Sequence, residues 1–179
     1  MITREDVLKR FEYRNDGHLY RRDNSGSARA GDQLGTIRKS NGNYYRKAVI
    51  NGVVMSVHRL IFLMHHNTVP ASIDHINGDS LDNRIENLRA ATRSQNSANK
   101  KTPKNNTSGF KGVYHDKTRN RWEASIMVRG KREKLGRYKT PQEAAIAYRD
   151  AAVQHFGDFA RFDSPGDGMI DDTKKELND

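Results

Sequence analysis

The sequence of 179 residues contains no cysteine and no long apolar run. Without cysteine the chain cannot form disulfide bonds or bind zinc through thiolates. A transmembrane helix needs about 18 or more consecutive apolar residues, so none is predicted. The initial residues MITREDVLKRF lack the apolar segment of a secretory signal, and we therefore expect a cytoplasmic protein that does not contact a membrane.

Apolar residues are scarce, and positive charges outnumber negative ones. Hydrophobic residues make up 34% and charged residues 30% of the chain, which predicts one domain or two small ones with modest cores. The formal net charge is +10, and residues 101–162 alone contain 14 Lys and Arg against 6 Asp and Glu. Such a basic chain favours a polyanionic partner, and an inert basic surface is the alternative.

The first third of the chain predicts one helix followed by short strands. Residues 2–12 fit a helix with Thr3 as its capping residue. Residues 13–57 are rich in glycine, and the pairs Asn41-Gly42 and Asn51-Gly52 are typical of hairpin turns. We expect a small antiparallel meander. Its residues 44–47 (YYRK) either contact DNA or, through the tyrosines, close a small core.

A short apolar segment and a polar one follow the meander. Residues 58–66 predict a buried helix that places His58 and Arg59, at its start, toward the Asp74-His75 pair. Residues 100–108 (KKTPKNNTS) contain no apolar residue and predict a linker. Its basic residues, Lys101 and Lys104 among them, are candidates for contact with a DNA backbone.

Residues 109–162 predict a second unit of three antiparallel strands and one helix. The helix begins at the sequence Thr140-Pro141-Gln142-Glu143, which combines a capping box with proline at the first helical position. Its small alanine residues permit close approach to a sheet, with Ile146, Val153 and Phe156 expected as larger anchors. Residues 163–179 are acidic and poor in apolar residues, which predicts a disordered tail.

The segment between these two parts contains the strongest candidates for chemistry. Hydrolysis of a phosphodiester needs a base for water and a metal ion that polarises the phosphate. Asp74 offers a carboxylate and Asn96 an amide oxygen, both of which suit a hard ion such as Mg²⁺. His75 has the proton affinity of a base near neutral pH. On the residues alone, turn formation remains an alternative explanation for the cluster of Asp and Asn.

Three segments together resemble the HNH family of ββα-metal nucleases, most closely its phage and intron-borne homing endonucleases. They are HRL at 58–60, DHINGDSLDNRIENLR at 74–89 and QNSAN at 95–99. The resemblance implies His75 as general base, and Asp74 and Asn96 as ligands of one divalent metal, Mg²⁺ or Mn²⁺. It also implies Asn87 as a support residue. We further expect Asn83 to brace the loop and Arg93 to hold the scissile phosphate.

Residues 109–157 resemble the AP2/ERF DNA-binding domain through the KGV opening at 111–113, Trp122, LGRY at 135–138 and TPQEAAIAYRDAA at 140–152. That resemblance implies that the three-stranded sheet contacts DNA. Including candidates outside the sheet, the predicted DNA-binding residues are Arg59, Lys101, Lys104, Lys111, Tyr114, Arg119, Arg121, Trp122, Arg129, Arg132, Lys134 and Arg137. A core role is the alternative for Trp122.

The sequence therefore predicts an α+β protein in which a β meander precedes a ββα-metal core at about residues 70–99. The expected limits are a nuclease domain at 1–99, a basic linker at 100–108, an AP2-like domain at 109–162 and a tail at 163–179. We expect a monomeric endonuclease that nicks or cleaves double-stranded DNA, with no protein partner indicated. The alternative is a non-catalytic DNA-binding regulator with a vestigial nuclease domain.

Overall fold

The computed structural model describes residues 2–103 and 105–162. The chain forms two compact units that divide between Thr92 and Arg93. Both contain small antiparallel sheets and helices, as predicted for an α+β protein. Within the described ranges, no helix is long and apolar enough to cross a membrane. The predicted disordered tail at 163–179 and the candidate Lys104 lie outside the described residues.

The first unit consists of small sheets around one buried helix. Its sheets pair β1 with β2, β4 with both β3 and β5, and β6 with β7. In chain order its helices and strands are α1 (Arg4–Arg10), β1 (Phe11–Arg14), β2 (His18–Arg21), β3 (Thr36–Ser40), β4 (Asn43–Ile50), β5 (Val53–Ser56), α2 (Val57–His66), β6 (Ser72–His75) and β7 (Leu88–Ala91).

Helix α1 begins at the predicted cap and is shorter than predicted. The Thr3 hydroxyl accepts from the backbone N–H of Asp6, and the Asp6 carboxylate accepts from the Thr3 N–H. The helix ends at Arg10 because Phe11 takes extended backbone angles and begins β1. The buried ring of Phe11 therefore enters the core from a strand and not from the end of a helix.

The predicted hairpins of the meander are confirmed. Asn41 and Gly42 join β3 to β4 with φ of 51° and 82°, and Asn51 and Gly52 join β4 to β5 with φ of 51° and 77°. Positive φ at both central residues is the geometry that Asn-Gly pairs favour in two-residue hairpin loops. The result is the antiparallel order β3-β4-β5.

Helix α2 is the buried helix that the apolar run predicted. It begins after Ser56 and ends where Asn67 adopts a left-handed conformation with φ of 54°. Several of its side chains are buried in one cluster with residues of β1, β2 and β4: Val57, Leu60 and Ile61 from the helix, and Phe11, Leu19 and Ile50 from the strands. The helix thus anchors the elements that precede it in sequence.

The second unit contains the predicted three-stranded sheet and its helix. Strand β9 lies between β10 and β8, all antiparallel. The Thr140–Glu143 capping box forms at the start of the long helix, and Gly157 ends it, as predicted. The elements are α3 (Arg93–Ala98), β8 (Val113–Asp116), β9 (Arg121–Val128), β10 (Lys131–Tyr138) and α4 (Pro141–Phe156).

The buried side of α4 differs from the prediction. Its buried residues are spaced by four: Ala144, Tyr148, Ala152 and Phe156. Phe156 is an anchor as expected, but Ile146 is 52% exposed and Val153 is 46% exposed, so their assignment as anchors was wrong. A stripe at this spacing occupies one side of a helix, and both residues lie off it. Tyr148 fills the position that the larger aliphatic residues were expected to fill.

Helix α3 is part of the second unit. Ala98 is buried in one cluster with Ile126, Tyr148 and Ala152. The Lys111 ammonium donates to the carbonyl oxygen of Ala98 and, at 2.7 Å, to that of Lys100. The sequence had placed residues 93–98 in the nuclease domain and a linker at 100–108. The structural division falls before that segment, because the end of α3 shares the core of the C-terminal sheet and helix.

Replacing Gly17 by Ala should destabilise the protein more than the same change at Gly26. Both glycines have positive φ, which costs an alanine about 1–2 kcal/mol. A Cβ at Gly17 would also lie 2.6 Å from the Arg84 nitrogen, whereas none of the described atoms lies within 4 Å of one at Gly26. We expect urea denaturation to show an additional loss of about 1–3 kcal/mol for Gly17→Ala. Equal losses in the two variants would contradict this packing.

Candidate functional site

The hairpin of β6 and β7 positions the first two candidate residues. Asp74 lies opposite Arg89 and His75 lies opposite Leu88 in an antiparallel register. Strand β6 ends at His75, whose carbonyl oxygen accepts from the N–H of Gly78 at 2.8 Å. Adjacent strand residues point to opposite faces, and the two side chains accordingly have different surroundings, although both are buried.

Asp74 is held by an ion pair across the hairpin. Its carboxylate is 3% exposed, and Nε and Nη2 of Arg89 both lie 2.9 Å from the same oxygen, Oδ2. The sequence prediction did not identify Arg89 as a site residue. The available signal was the register of the two strands, because opposite charges on directly opposed residues stabilise an antiparallel pair.

His75 lies in a cluster of aromatic rings. The His58 ring is 5.1 Å from the His75 ring, edge to face, and the Tyr45 ring is 5.7 Å from that of His58 and 6.5 Å from that of His75. The expectation that His58 faces the site from the start of α2 is confirmed. The structure adds Tyr45 of β4 to the surroundings of His75, which the sequence had considered only as a DNA contact or a core residue.

The surroundings of His75 favour its neutral form. Burial lowers its pKa, while the hydrogen bond to Asn83 and the carboxylates of Asp74, Asp79 and Asp82 act in the opposite direction. A neutral imidazole is the form that can accept a proton from water. The histidine is therefore in the state that a general base requires.

Asn83 contacts the imidazole directly. Its Oδ1 lies 3.1 Å from Nε2 of His75, and the Asn83 side chain is 1% exposed. Asn87, also buried, instead supports the loop after β6. Its Oδ1 accepts from the Asn77 N–H at 3.0 Å, and its Nδ2 donates to Oδ1 of Asn77 and to the carbonyl of Asp82. These bonds hold both ends of the loop between His75 and Asn83.

The remaining two nuclease candidates lie in the second unit. Arg93 and Asn96 are on α3, where Arg93 is exposed and Asn96 is half-buried. The first unit thus places His75, Asn83, Asp74 and Asn87 on one hairpin and its loop. The joint action of Asp74 and Asn96 stays a prediction from the sequence motif.

The donor atoms suit a hard metal ion with few protein ligands. Among the described residues, no group of three or more His, Asp and Glu side chains is arranged to hold a metal. A closed cage of the kind that binds zinc structurally is therefore not present in that part of the chain. Mg²⁺ instead keeps several waters and takes one or two carboxylates or amide oxygens. The buried Asp74 carboxylate is a donor of this type.

The second candidate surface is the face of the sheet that points away from α4. Trp122 and Ile126 of β9 pack on the α4 side, so Arg121, Glu123 and Met127 point to the other face. The residues of β8 and β10 that lie directly opposite these β9 residues point to the same face. We call it the outer face of the sheet; its members are Tyr114, Asp116, Arg121, Glu123, Ser125, Met127, Arg132, Lys134 and Arg137.

Glu123 offsets part of the positive charge on the outer face. The Tyr114 hydroxyl donates to its carboxylate, Nε of Arg137 lies 3.3 Å from Oε2, and the Lys134 ammonium lies 3.8 Å from Oε1. Hydrogen bonds from Tyr114 and Arg137 lower the pKa of the Glu123 carboxyl, which stays ionised. Three predicted DNA-binding residues are therefore tied to one internal carboxylate.

The other predicted DNA-binding residues are placed as follows. Trp122 is half-buried and packs against Val113, Ala124 and Ala144, which matches the alternative that it is a core residue. Lys111 binds the backbone at the end of α3. Other candidates outside the outer face are half-buried Arg59 and exposed Lys101, Arg119 and Arg129. Contact of any of these residues with DNA stays a prediction.

Comparison with known proteins supplies a family for the first site. A family model described as HNH endonuclease matches residues 56–98, a segment that includes α2, β6, β7 and α3. Protein 3.8 of Escherichia phage T7 is 41% identical over 90 residues, which cover 50% of this chain and 74% of that protein. An uncharacterized HNH endonuclease, L560 of Acanthamoeba polyphaga mimivirus, is 37% identical over 109 residues, covering 59% of this chain and 56% of the viral protein. No solved structure matches significantly.

Replacing His58 by Gln should make the protein less sensitive to acid. Burial, followed by the charges of His75 and Arg59, lowers the pKa of His58 from 6.5 to about 3. Between these values the unfolded chain binds a proton that the folded protein does not, so stability is retained above pH 6.5 and decreases as the pH falls toward 3. The wild type should lose up to about 1.4 kcal/mol more per pH unit than His58→Gln.

Urea unfolding at several values from pH 7 to pH 4 measures this difference in slope. The matched control is His66→Gln, at the exposed end of the same helix, which should keep the slope of the wild type. Parallel stability curves for His58→Gln and the wild type would contradict a buried, neutral His58.

Proposed function

The chain belongs to the HNH endonuclease family, and we propose that it is a metal-dependent enzyme that hydrolyses a phosphodiester bond in double-stranded DNA. The nuclease activity and the DNA substrate follow from the family. One observation carries the more specific proposal: the family segment contains a buried histidine whose surroundings keep it neutral. A neutral imidazole at the motif position of the general base is what hydrolysis requires.

Each of five residues has its own proposed role in this reaction. His75 accepts a proton from the attacking water, and Asn87 holds the loop that follows it. Asp74 and Asn96 are the proposed ligands of one Mg²⁺ or Mn²⁺, an assignment that the motif spacing supports. When bound, the ion polarises the phosphate and stabilises the leaving 3′ oxygen. Arg93, which is exposed on α3, is the proposed contact for the scissile phosphate.

The ion pair with Arg89 fits a role for Asp74 as a ligand. Two nitrogens of the guanidinium contact the same carboxylate oxygen, and these charge-assisted hydrogen bonds fix the orientation of the Asp74 side chain. Partners that orient ligating carboxylates in this way commonly influence metal affinity by about 10–100-fold. Arg89 is therefore proposed as the residue that orients the acidic ligand.

The second unit is proposed to select the site on DNA. Its resemblance to the AP2/ERF domain supports this role, as does the outer face with Arg121, Arg132, Lys134 and Arg137. A nuclease core with an added DNA-binding sheet is the arrangement expected of a homing-type enzyme. A monomer with one active site would nick one strand, and a double-strand break would need two events.

Supercoiled plasmid that carries the target, best taken from the parent genome, provides the first test. With Mg²⁺ or Mn²⁺ the protein should convert it to the relaxed form, and EDTA should prevent this. His75→Ala should reduce the rate by about 10²–10⁴-fold, as expected for loss of a general base. Its DNA affinity should be close to that of the wild type.

The outcomes separate the proposal from its rivals. Intact plasmid in both metals, together with specific binding, would favour a DNA-binding regulator with a vestigial nuclease domain. Loss of both cutting and binding in His75→Ala would indicate that His75 is structural. A third variant, His66→Ala on the exposed end of α2, should leave cutting and binding unchanged.

Arg132→Ala should weaken DNA binding and reduce its salt dependence. Each phosphate contact adds about 0.9 to the slope of log K against log salt concentration. Because Arg132 is exposed on the outer face, its removal should lower the slope by about one such unit. The control is Arg149→Ala on α4, which packs on the other side of the sheet. Equal effects of the two substitutions on the slope would contradict binding through the outer face.

A further inference from the structure

The polar side chain of Asn83 is almost completely buried, and side chains buried to this degree are usually apolar. It is 1% exposed and ranks with Phe11, Leu19 and Leu60 among the largest fully buried side chains. Burying an amide costs free energy unless its polar atoms form hydrogen bonds. Its Nδ2 has no hydrogen-bond partner within the described residues, whereas Oδ1 lies 3.1 Å from Nε2 of His75. The contact with His75 is therefore the interaction that this buried amide makes.

The backbone on either side of Asn83 is fixed. The Asp82 carboxylate accepts from Nε and Nη2 of Arg84 at 2.9 Å and 2.7 Å, and from Nδ2 of Asn77. On the other side, Gly17 packs so closely that a Cβ there would lie 2.9 Å from the carbonyl carbon of Asn83. The amide is thus held against the imidazole by the loop and by the turn between β1 and β2.

The direction of this contact determines the tautomer of His75. An amide oxygen can only accept a hydrogen bond, so the ring nitrogen that faces it must carry a proton. A neutral imidazole has one ring proton, and with that proton on Nε2 the lone pair resides on Nδ1. In the opposite orientation of the amide, Nδ2 would donate to Nε2 and the proton would be on Nδ1.

We propose that Asn83 is a positioning residue that holds His75 as the Nε2–H tautomer and thereby makes Nδ1 the basic atom that activates water. The structural part of this proposal concerns only His75 and Asn83. Its catalytic part rests on the proposed function. The effect resembles that of the outer partners of metal-bound histidines, which fix one ring nitrogen and so define the other.

Nitrogen-15 NMR of histidine-labelled full-length protein tests the structural part. At a pH where the imidazoles are neutral, two-bond proton–nitrogen correlations identify which nitrogen of each ring is protonated. His75→Gln assigns the His75 signals by their loss. We expect the Nε2–H form in the wild type. A predominant Nδ1–H form would overturn the proposal.

Two substitutions at position 83 test whether Asn83 determines the tautomer of His75. An ionised Asp at position 83 can only accept a hydrogen bond, so the Nε2–H form should persist in Asn83→Asp at neutral pH. Asn83→Leu has a similar size and no acceptor, and its His75 should populate both tautomers. If Asn83→Leu does not fold, the wild-type and Asn83→Asp spectra still decide, because a switch to Nδ1–H in Asn83→Asp would overturn the proposal.

Kinetics test the catalytic part. Asn83→Leu should lower kcat by about 10–100-fold, the loss typical of an outer partner of a catalytic ring, with KM for DNA little changed. Asn83→Asp should retain more activity than Asn83→Leu. Unchanged kcat in a folded Asn83→Leu would overturn the role in positioning. If the wild type does not cleave DNA but shows the expected tautomer, the proposed function fails and the assignment of the tautomer stands.

Discussion

The pairing of β6 with β7 is the constraint on which the candidate site depends. Its register places Asp74 opposite Arg89 and ends the strand at His75, where the loop begins. A slip of one residue would turn both side chains to the wrong faces and separate the buried carboxylate from its guanidinium. The polar residues of the following loop then complete the arrangement: Asn87 braces the loop, and Asn83 returns to the imidazole. The geometry of the candidate site thus follows from the register of a short hairpin and from the hydrogen bonds of its loop.

The rest of the first unit keeps this hairpin in place. Helix α2 contributes apolar side chains to the core and His58 to the ring cluster, and β4 contributes Tyr45. Burial by these elements is also what lowers the pKa of both histidines. The same packing therefore supports stability at neutral pH, favours the neutral form of both histidines and makes the stability sensitive to acid.

Local signals in the sequence were sufficient for much of the fold. Asn-Gly pairs, capping residues and the apolar run of α2 act over a few residues, so the meander, α2 and the start of α4 could be predicted. The prediction for α4 assumed that its large aliphatic residues are buried. Whether Ile146 or Tyr148 is buried depends instead on which side of the helix packs against the sheet. Similarly, nothing local indicates that Ala98 packs beside Tyr148 and brings α3 into the second unit. Contacts between distant segments decide such cases.

The site shows the same division between local and distant information. The motif gave the residue types at positions 74, 75, 83, 87 and 96. Strand register was needed to find Arg89, and three-dimensional packing to find Tyr45 and the bond from Asn83.

The central claim is that His75 activates a water molecule for hydrolysis. Cleavage in water enriched in oxygen-18, followed by mass spectrometry of the 5′-phosphate ends, tests it most directly. The account predicts one heavy oxygen per cut and loss of this product in His75→Ala; product without the label, or equal labelled product from that variant, would contradict it.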